Sequence, residues 1–367
     1  MSEVLNVKYQ GEPCYDIVID QSFDELADRV KDLGFEKRRI CIVTDSNVNP
    51  LFGKQIKGLL ETVGSKVVIF EIPAGEEHKN LEEINKAYGF LIEEKFDRHD
   101  LIVALGGGVV GDMAGYIAAT YLRGIAFVQV PTTLLSQTDS SVGGKTGVDY
   151  EGYKNMVGAF YMPKLVLINI KVLDSLDGRQ FASGFAEIMK HGLIKDSDFY
   201  MWLIDNMYEI EEKDPETLIY MIKKSCDIKR QVVEKDPTEK GDRALLNFGH
   251  TIGHAIEKYK DFTLFHGECV ALGAVAAAFI SWKKQMLSME EYYEVRDMFV
   301  PFNLPISVED IDVEEVIKLM HSDKKADANS IRFVLLKKVG KAVIDTTVTD
   351  DEIREALKEI IWTEDFE

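Results

Sequence analysis

The sequence predicts an α/β protein in which an N-terminal parallel-sheet domain is followed by a mostly α-helical C-terminal domain. Three observations lead there. Short β-branched runs alternate with helical patterns through the first half, long 3.6-period segments dominate from about Leu173 onward, and 367 residues exceed what one core usually organises.

In the first half, Arg39–Thr44, Lys66–Glu71, Leu101–Leu105 and Ala126–Val130 read as strands. They are separated by helical segments at Asn49–Val63, Asn80–Lys95 and Asp112–Tyr121, with Leu165–Ile168 as the last strand. Strands spaced by helices of this length pair in parallel through crossover connections. Beyond Leu173, helices are expected at Phe181–Ile194, Pro215–Lys235, Asn247–Tyr259, His266–Met286 and Met289–Phe299. A hairpin of Ile331–Leu336 and Ala342–Asp345 turns at Val339-Gly340 before a final helix. The boundary falls at residue 172, giving domains 1–172 and 173–367. No internal repeat, low-complexity tract or long linker interrupts either.

The formal net charge is −20, which disfavours nucleic acid and anionic membranes as partners, since both want basic surface. It leaves room for an anionic small-molecule substrate, because a few buried Lys and Arg can build a local cationic pocket. The four cysteines are scattered without C-x-x-C spacing and read as reduced thiols of a cytoplasmic protein. Met1–Gln10 carries Glu3 and lacks the apolar stretch of a signal peptide. Cys269–Trp282 is too short an apolar run to span a bilayer and reads as a buried helix.

Gly106-Gly-Gly-Val-Val-Gly111-Asp112 fits G-x-G-x-x-G between a predicted strand and a predicted helix. Glycines there let the backbone approach a pyrophosphate, and the helix N-terminus offers free N–H groups. The first domain is thus Rossmann-like and expected to bind a dinucleotide. No acidic residue follows about 20 positions later, where a ribose partner usually sits. Asp45, at the C-terminal end of the first strong strand, is the substitute, and its carboxylate favours NAD over NADP. Gly75-Glu76-Glu77-His78-Lys79, after the next strand, can reach the same end of the sheet.

His250-Thr-Ile-Gly-His254 puts two imidazoles at i and i+4 on one helical face, a spacing that also occurs on plain helix surfaces. His266 follows in Phe265-His-Gly-Glu268, so three of the chain's seven histidines fall close together. Glu187, in Gly184-Phe-Ala-Glu187-Ile-Met-Lys190-His191, is the carboxylate best placed to complete an open three-ligand site. Its apolar surroundings discourage an unpaired charge. Two of the three histidines suffice as ligands; the other is left for the substrate.

Taken in order, several motifs make the chain resemble the 3-dehydroquinate synthase family over nearly its whole length. They include Gly106–Asp112, Val130-Pro-Thr-Thr-Leu-Leu135, Asp139-Ser-Ser-Val-Gly-Gly-Lys145 and Lys154-Asn-Met-Val-Gly-Ala159. The series continues through Ser183–His191, Arg243-Ala-Leu-Leu-Asn247-Phe-Gly-His250, His254, His266-Gly-Glu268 and Asp323-Lys-Lys325. The resemblance implies that Glu187, His250 and His266 hold one divalent metal ion, zinc or cobalt. It implies NAD contacts at Asp45, Asn47, Glu76, Lys79, Gly107, Gly108, Val109 and Asp112, and at Thr132, Thr133 and Lys154. Catalytic roles fall to Asp139, Lys145, Asn155, Lys190 and His254. Substrate contacts fall to Lys229, Arg243, Asn247, one of Lys324 or Lys325, and Arg123, the last reaching phosphate across a homodimer interface.

The implied substrate is a phosphorylated seven-carbon sugar acid. Arg243 suits its carboxylate because a guanidinium offers a planar two-donor fork. The implied reaction is redox-neutral: transient oxidation by NAD, phosphate elimination, re-reduction, ring opening and aldol closure. Leu176-Asp-Gly-Arg179 and Asn169 depart from the family pattern, and neither falls on an expected catalytic position. Two other enzyme classes compete. A sister sugar phosphate cyclase, such as a 2-deoxy-scyllo-inosose synthase, would share the cofactors with a changed pocket, and a glycerol-dehydrogenase-like oxidoreductase would release NADH. A third reading is a catalytically dead nucleotide-binding homologue.

Overall fold

The computed structural model describes residues 2–239, 241–322 and 331–362. Lys324 and Lys325, with the Asp323-Lys-Lys325 motif, lie outside the described residues. The chain forms two compact units: Met1–Leu176 with Leu218–Thr238, and Asp177–Thr217 with Glu239–Glu367.

The strands of the first unit are β1 (Glu3–Tyr9), β2 (Glu12–Asp20), β3 (Arg39–Asp45), β4 (Lys66–Ile72), β5 (Leu101–Gly106), β6 (Ala126–Pro131), β7 (Lys145–Tyr150), β8 (Tyr153–Phe160) and β9 (Leu165–Asn169). Seven of them form one sheet in the order β1-β2-β9-β6-β5-β3-β4. Only the β1–β2 pair is antiparallel in this sheet. All of β5 is buried, as expected of a parallel strand covered on both faces. Cys41, Val43, Ile102 and Ala104 of the sheet pack with Met113, Ala114 and Ile117 in one core. The sequence reading captured β3, β4, β5, β6 and β9 but not the β1–β2 hairpin or the separate β7–β8 hairpin.

In chain order the helices are α1 (Leu26–Val30), α2 (Lys54–Leu60), α3 (Leu81–Glu93), α4 (Gly108–Thr120), α5 (Gly178–Lys195), α6 (Ser197–Asp205) and α7 (Met207–Glu211). They continue with α8 (Pro215–Lys235), α9 (His250–Tyr259), α10 (His266–Lys283), α11 (Met289–Asp297), α12 (Val313–Ser322) and α13 (Asp350–Glu359). Asn80 caps α3 through N–H groups of Glu82 and Glu83. Helix α4 starts at Gly108, one turn before the expected Asp112, so the glycine run forms its first turn.

In the second unit, α10 is buried from Gly267 to Ser281 and α5 from Ala182 to Ile194. A helix buried over so many consecutive residues is central to its core. The predicted hairpin is present as β10 (Phe333–Lys338) and β11 (Lys341–Asp345), turning through Gly340 at φ 82°. No helix among the described residues is long and apolar enough to cross a membrane.

Candidate active site

In the first unit, β5 ends at Gly106 and α4 starts at Gly108, so their junction is the glycine turn. A Cβ on Gly106 would lie 2.6 Å from Val110, and one on Gly107 would lie 3.2 Å from Thr133. The turn is therefore as tight as its glycines permit, with N–H groups free at the start of α4. Beside it, the buried hydroxyls of Thr132 and Thr44 have no hydrogen-bond partner among the described residues. An orphaned hydroxyl at the C-terminal edge of a parallel sheet suits a ligand that would complete it. Asp45 accepts the N–H groups of Asn47 and Val48 through Oδ1, which fixes the loop after β3; Asn47 is exposed.

Lys79 is 4% exposed, and its Nζ donates to Asp112 Oδ2 at 2.7 Å and Asn155 Oδ1 at 2.6 Å. Glu76 Oε1 lies 3.8 Å from Lys79 Nζ and 3.9 Å from Lys154 Nζ. Burial works against the Lys79 ammonium, but Asp112 and Glu76 outweigh it and raise its pKa, so it stays charged. Asn155, at φ 53°, is held by its own N–H to Asp149 Oδ1, while the Asp149 N–H donates to the Lys79 carbonyl. Asp149 was not singled out from the sequence; no spacing signals a carboxylate that folds back on a loop.

Elsewhere in this unit, Lys229 donates to the Asp139 carbonyl at 2.7 Å and to its Oδ1 at 2.5 Å, and is 6% exposed. Lys145, at the start of β7, is exposed. So is Arg123, in a turn where Leu122 and Arg123 both hold positive φ, 51° and 67°.

In the second unit, Glu187 of α5, His250 of α9 and His266 of α10 bring one ligand atom each within 4.8 Å of the others. Glu187 is fully buried. Its Oε1 faces His266 Nε2 at 3.2 Å and His250 Nε2 at 3.4 Å, while Oε2 accepts from Lys190, itself 2% exposed. Burial pushes the Glu187 carboxyl up, but the charge of Lys190, foremost among the opposing groups, helps to more than offset this and holds it well below the usual range. Burial, reinforced by Lys190, pushes His250 well below the usual imidazole value, so its ring is neutral near pH 7.

The tautomer follows from one contact. His250 Nδ1 lies 3.0 Å from the Phe248 carbonyl oxygen, which can only accept. The proton therefore sits on Nδ1, and the Nε2 lone pair points at a carboxylate oxygen. Two electron-rich atoms at 3.4 Å repel unless a cation lies between them. Two imidazoles and one carboxylate, with a backbone carbonyl orienting a ring, are the donors of an open zinc-type site.

Glycines set this geometry. A Cβ on Gly273 would lie 1.8 Å from the Gly249 carbonyl oxygen, and one on Gly253 would lie 2.6 Å from that of Cys269. So α9 and α10 touch backbone to backbone, which puts the His250 and His266 rings 5.3 Å apart. His254, one turn along α9, is exposed, with its ring 5.1 Å from His250. Arg243 is 2% exposed, and Asn247 donates to Glu239 at 3.0 Å, a partner the sequence did not reveal. Arg179, set aside in the sequence as a departure from pattern, pairs with Glu268, two residues from His266.

The N-terminal and C-terminal profiles of 3-dehydroquinate synthase match residues 69–183 and 184–326. A 3-dehydroquinate synthase of Acetivibrio thermocellus is 44% identical over 349 residues, covering 95% of this chain and 96% of that protein. Among solved structures, 2-epi-5-epi-valiolone synthase from Streptomyces hygroscopicus subsp. jinggangensis, with NAD+ and Zn2+ bound, superposes with a TM-score of 0.87. The pair is 26% identical, and the match covers 97% of this chain and 99% of that one. A 2-deoxy-scyllo-inosose synthase shares the fold at a TM-score of 0.83 and 24% identity, covering 98% of this chain and 100% of that one. With profiles that abut across most of its length and a near full-length relative at 44% identity, the chain belongs to the 3-dehydroquinate synthase family.

Proposed function

We propose that this chain converts 3-deoxy-D-arabino-heptulosonate 7-phosphate to 3-dehydroquinate and phosphate, as a carbon–oxygen lyase of the shikimate pathway, which leads to chorismate and the aromatic amino acids. The observation that carries the reading is the Glu187–His250–His266 cluster, whose facing lone pair and carboxylate call for a cation, in a chain of this family. NAD is the cofactor supported by the glycine turn and by the NAD+ and Zn2+ of the valiolone synthase. Zinc and cobalt both suit two imidazoles and a carboxylate.

When bound, the divalent ion supplies Lewis acidity toward the substrate hydroxyls, and NAD supplies a hydride acceptor that is restored within one turnover. The protein's own groups then have separate tasks. Lys79, held charged between Asp112 and Asn155, fixes the loops around the cofactor; Glu76 and Lys154 extend that grip, with Asp45 toward the ribose. Lys229 and Arg243 answer the substrate carboxylate. Lys145, Asn155, Asn247 and His254 answer the phosphate, and Asp139 orients Lys229. Lys190 keeps Glu187 ionised and adds positive charge where an alkoxide would develop. The low exposure of Lys190 and Arg243 strengthens their fields.

The deciding experiment mixes the protein with NAD, zinc or cobalt and the heptulosonate phosphate, following phosphate and NADH absorbance together. Phosphate release with 3-dehydroquinate formed and no net NADH is the expected result. NADH accumulating on simple alcohols without phosphate release would sink it in favour of a dehydrogenase. Turnover only of a hexose 6-phosphate or sedoheptulose phosphate would assign a sister cyclase.

The assembly we propose is a cytoplasmic homodimer, supported by the exposed Leu122–Arg123 turn, whose positive φ values present Arg123 outward to a neighbouring copy's phosphate. Sedimentation equilibrium should give twice the chain mass; a fully active monomer would remove the claim.

A further inference from the structure

Three successive turns of α5 meet the first three residues of α10 in reverse order. Arg179 donates through Nε to Glu268 Oε1 at 2.6 Å and through Nη2 to Glu268 Oε2 at 2.8 Å. One turn on, the Ser183 hydroxyl accepts the Gly267 N–H at 3.0 Å. One turn further, Glu187 Oε1 meets His266 Nε2 at 3.2 Å. The three α5 residues lie four apart and so share one helix face, and their partners are consecutive.

The middle rung leaves no slack. A Cβ on Gly267 would lie 2.0 Å from the Ser183 carbonyl oxygen, so the two backbones are already as close as they can come. The outer rung is anchored from several sides. The Arg179 guanidinium lies 4.1 Å over the Phe265 ring, and its Nη2 also donates to the Thr263 carbonyl at 3.3 Å. Glu268 Oε2 accepts the Phe265 N–H at 2.8 Å as well. The pair thus ties α5 both to α10 and to the loop that enters it, and His266 sits between those two attachments.

We infer that Arg179 and Glu268 are positioning residues for the metal centre: their bidentate pair sets the depth and roll of α10 against α5, and so the His266–Glu187 distance. The inference rests on the reading that Glu187, His250 and His266 hold the metal. Arg179 is half-exposed while Glu268 is buried, so solvent screens the pair from one side only. The pair's consequence is geometric, since an imidazole displaced by a fraction of an ångström no longer shares an ion with its neighbours.

The test measures zinc affinity of the full-length protein by competition with a chromophoric chelator, and the visible spectrum of the cobalt form. Arg179→Gln, Arg179→Lys and Glu268→Gln are compared with His250→Ala. Arg179→Gln and Glu268→Gln should each weaken zinc binding about 10–100-fold, as loss of groups that orient metal ligands does, and alter the cobalt spectrum. Combining them should be no worse than either alone. Arg179→Lys should not rescue, because an ammonium cannot reproduce the two-donor fork. Zinc affinity should fall by more than any loss in melting temperature of the metal-free protein accounts for, and a loss of affinity that merely tracks the loss of stability would overturn the positioning role. Should Glu268→Gln fail to fold, Arg179→Lys carries the test, since it changes only a half-exposed side chain. If His250→Ala loses zinc while the Arg179 variants bind like wild type, the positioning role is overturned. If His250→Ala also binds like wild type, the ligand assignment itself falls and takes the inference with it.

Discussion

Glu187→Ala is expected to abolish both tight metal binding and turnover, with a fall in kcat of at least about 10³-fold, the upper end of what one preorganised electrostatic group costs. It removes one of the three proposed ligands and strands Lys190, 2% exposed, without its carboxylate. Breaking a buried ion pair from one side costs about 3–5 kcal/mol. The metal-free variant should therefore melt well below wild type. The double variant Glu187→Leu with Lys190→Met separates the two consequences, because an apolar replacement of both partners is close to neutral for stability. It should recover most of the melting temperature and none of the metal affinity. His254→Asn should behave in the opposite way, keeping the metal while losing turnover. Melting curves, chelator-competition titrations and phosphate release check all three; a Glu187→Ala protein that still binds zinc tightly would refute the assigned centre.

Gly273→Ala is expected to be the most damaging addition of a single methyl group. The new Cβ would lie 1.8 Å from the Gly249 carbonyl oxygen and 2.8 Å from the Gly253 nitrogen, both backbone atoms that no side-chain rotation can move aside. Helices α9 and α10 must part, at a cost at or above the usual 1–3 kcal/mol or so of overpacking. Gly249 immediately precedes His250, so the same movement pulls His250 from His266 and should weaken zinc binding in step with stability. Thermal melting and the chelator titration on one sample measure both. A variant melting within about 2 °C of wild type would show that the helices have freedom this packing denies them.

Much of this was written plainly in the sequence, and the exceptions have physical reasons. Helix α8 runs Pro215–Lys235, as the apolar periodicity and the proline at its start predict. The β7–β8 hairpin went unread because Gly147 and Gly158 sit opposite each other in it. Glycine has low strand propensity, yet each is required there: a Cβ on Gly158 would lie 2.2 Å from the Thr146 carbonyl oxygen. The same low propensity hid the first turn of α4. In the site, the i, i+4 spacing singled out His250 with His254, whereas the cluster around Glu187 pairs His250 with His266, a set that the family resemblance implied and helical spacing alone does not. Lys79–Asp112 and Arg179–Glu268 had no local signal, being pairs that only the tertiary fold brings together.

The segment Leu218–Thr238, most of helix α8, clusters with the first unit although residues of the second unit flank it on both sides. On a ribosome the first unit therefore cannot finish folding when its sheet is complete at Asn169. It must wait for residue 238, and at roughly 5–20 residues per second the emerging chain spends several seconds with that helix missing. During that interval Leu218, Met221 and Ile222, buried in the folded chain, are not yet in place.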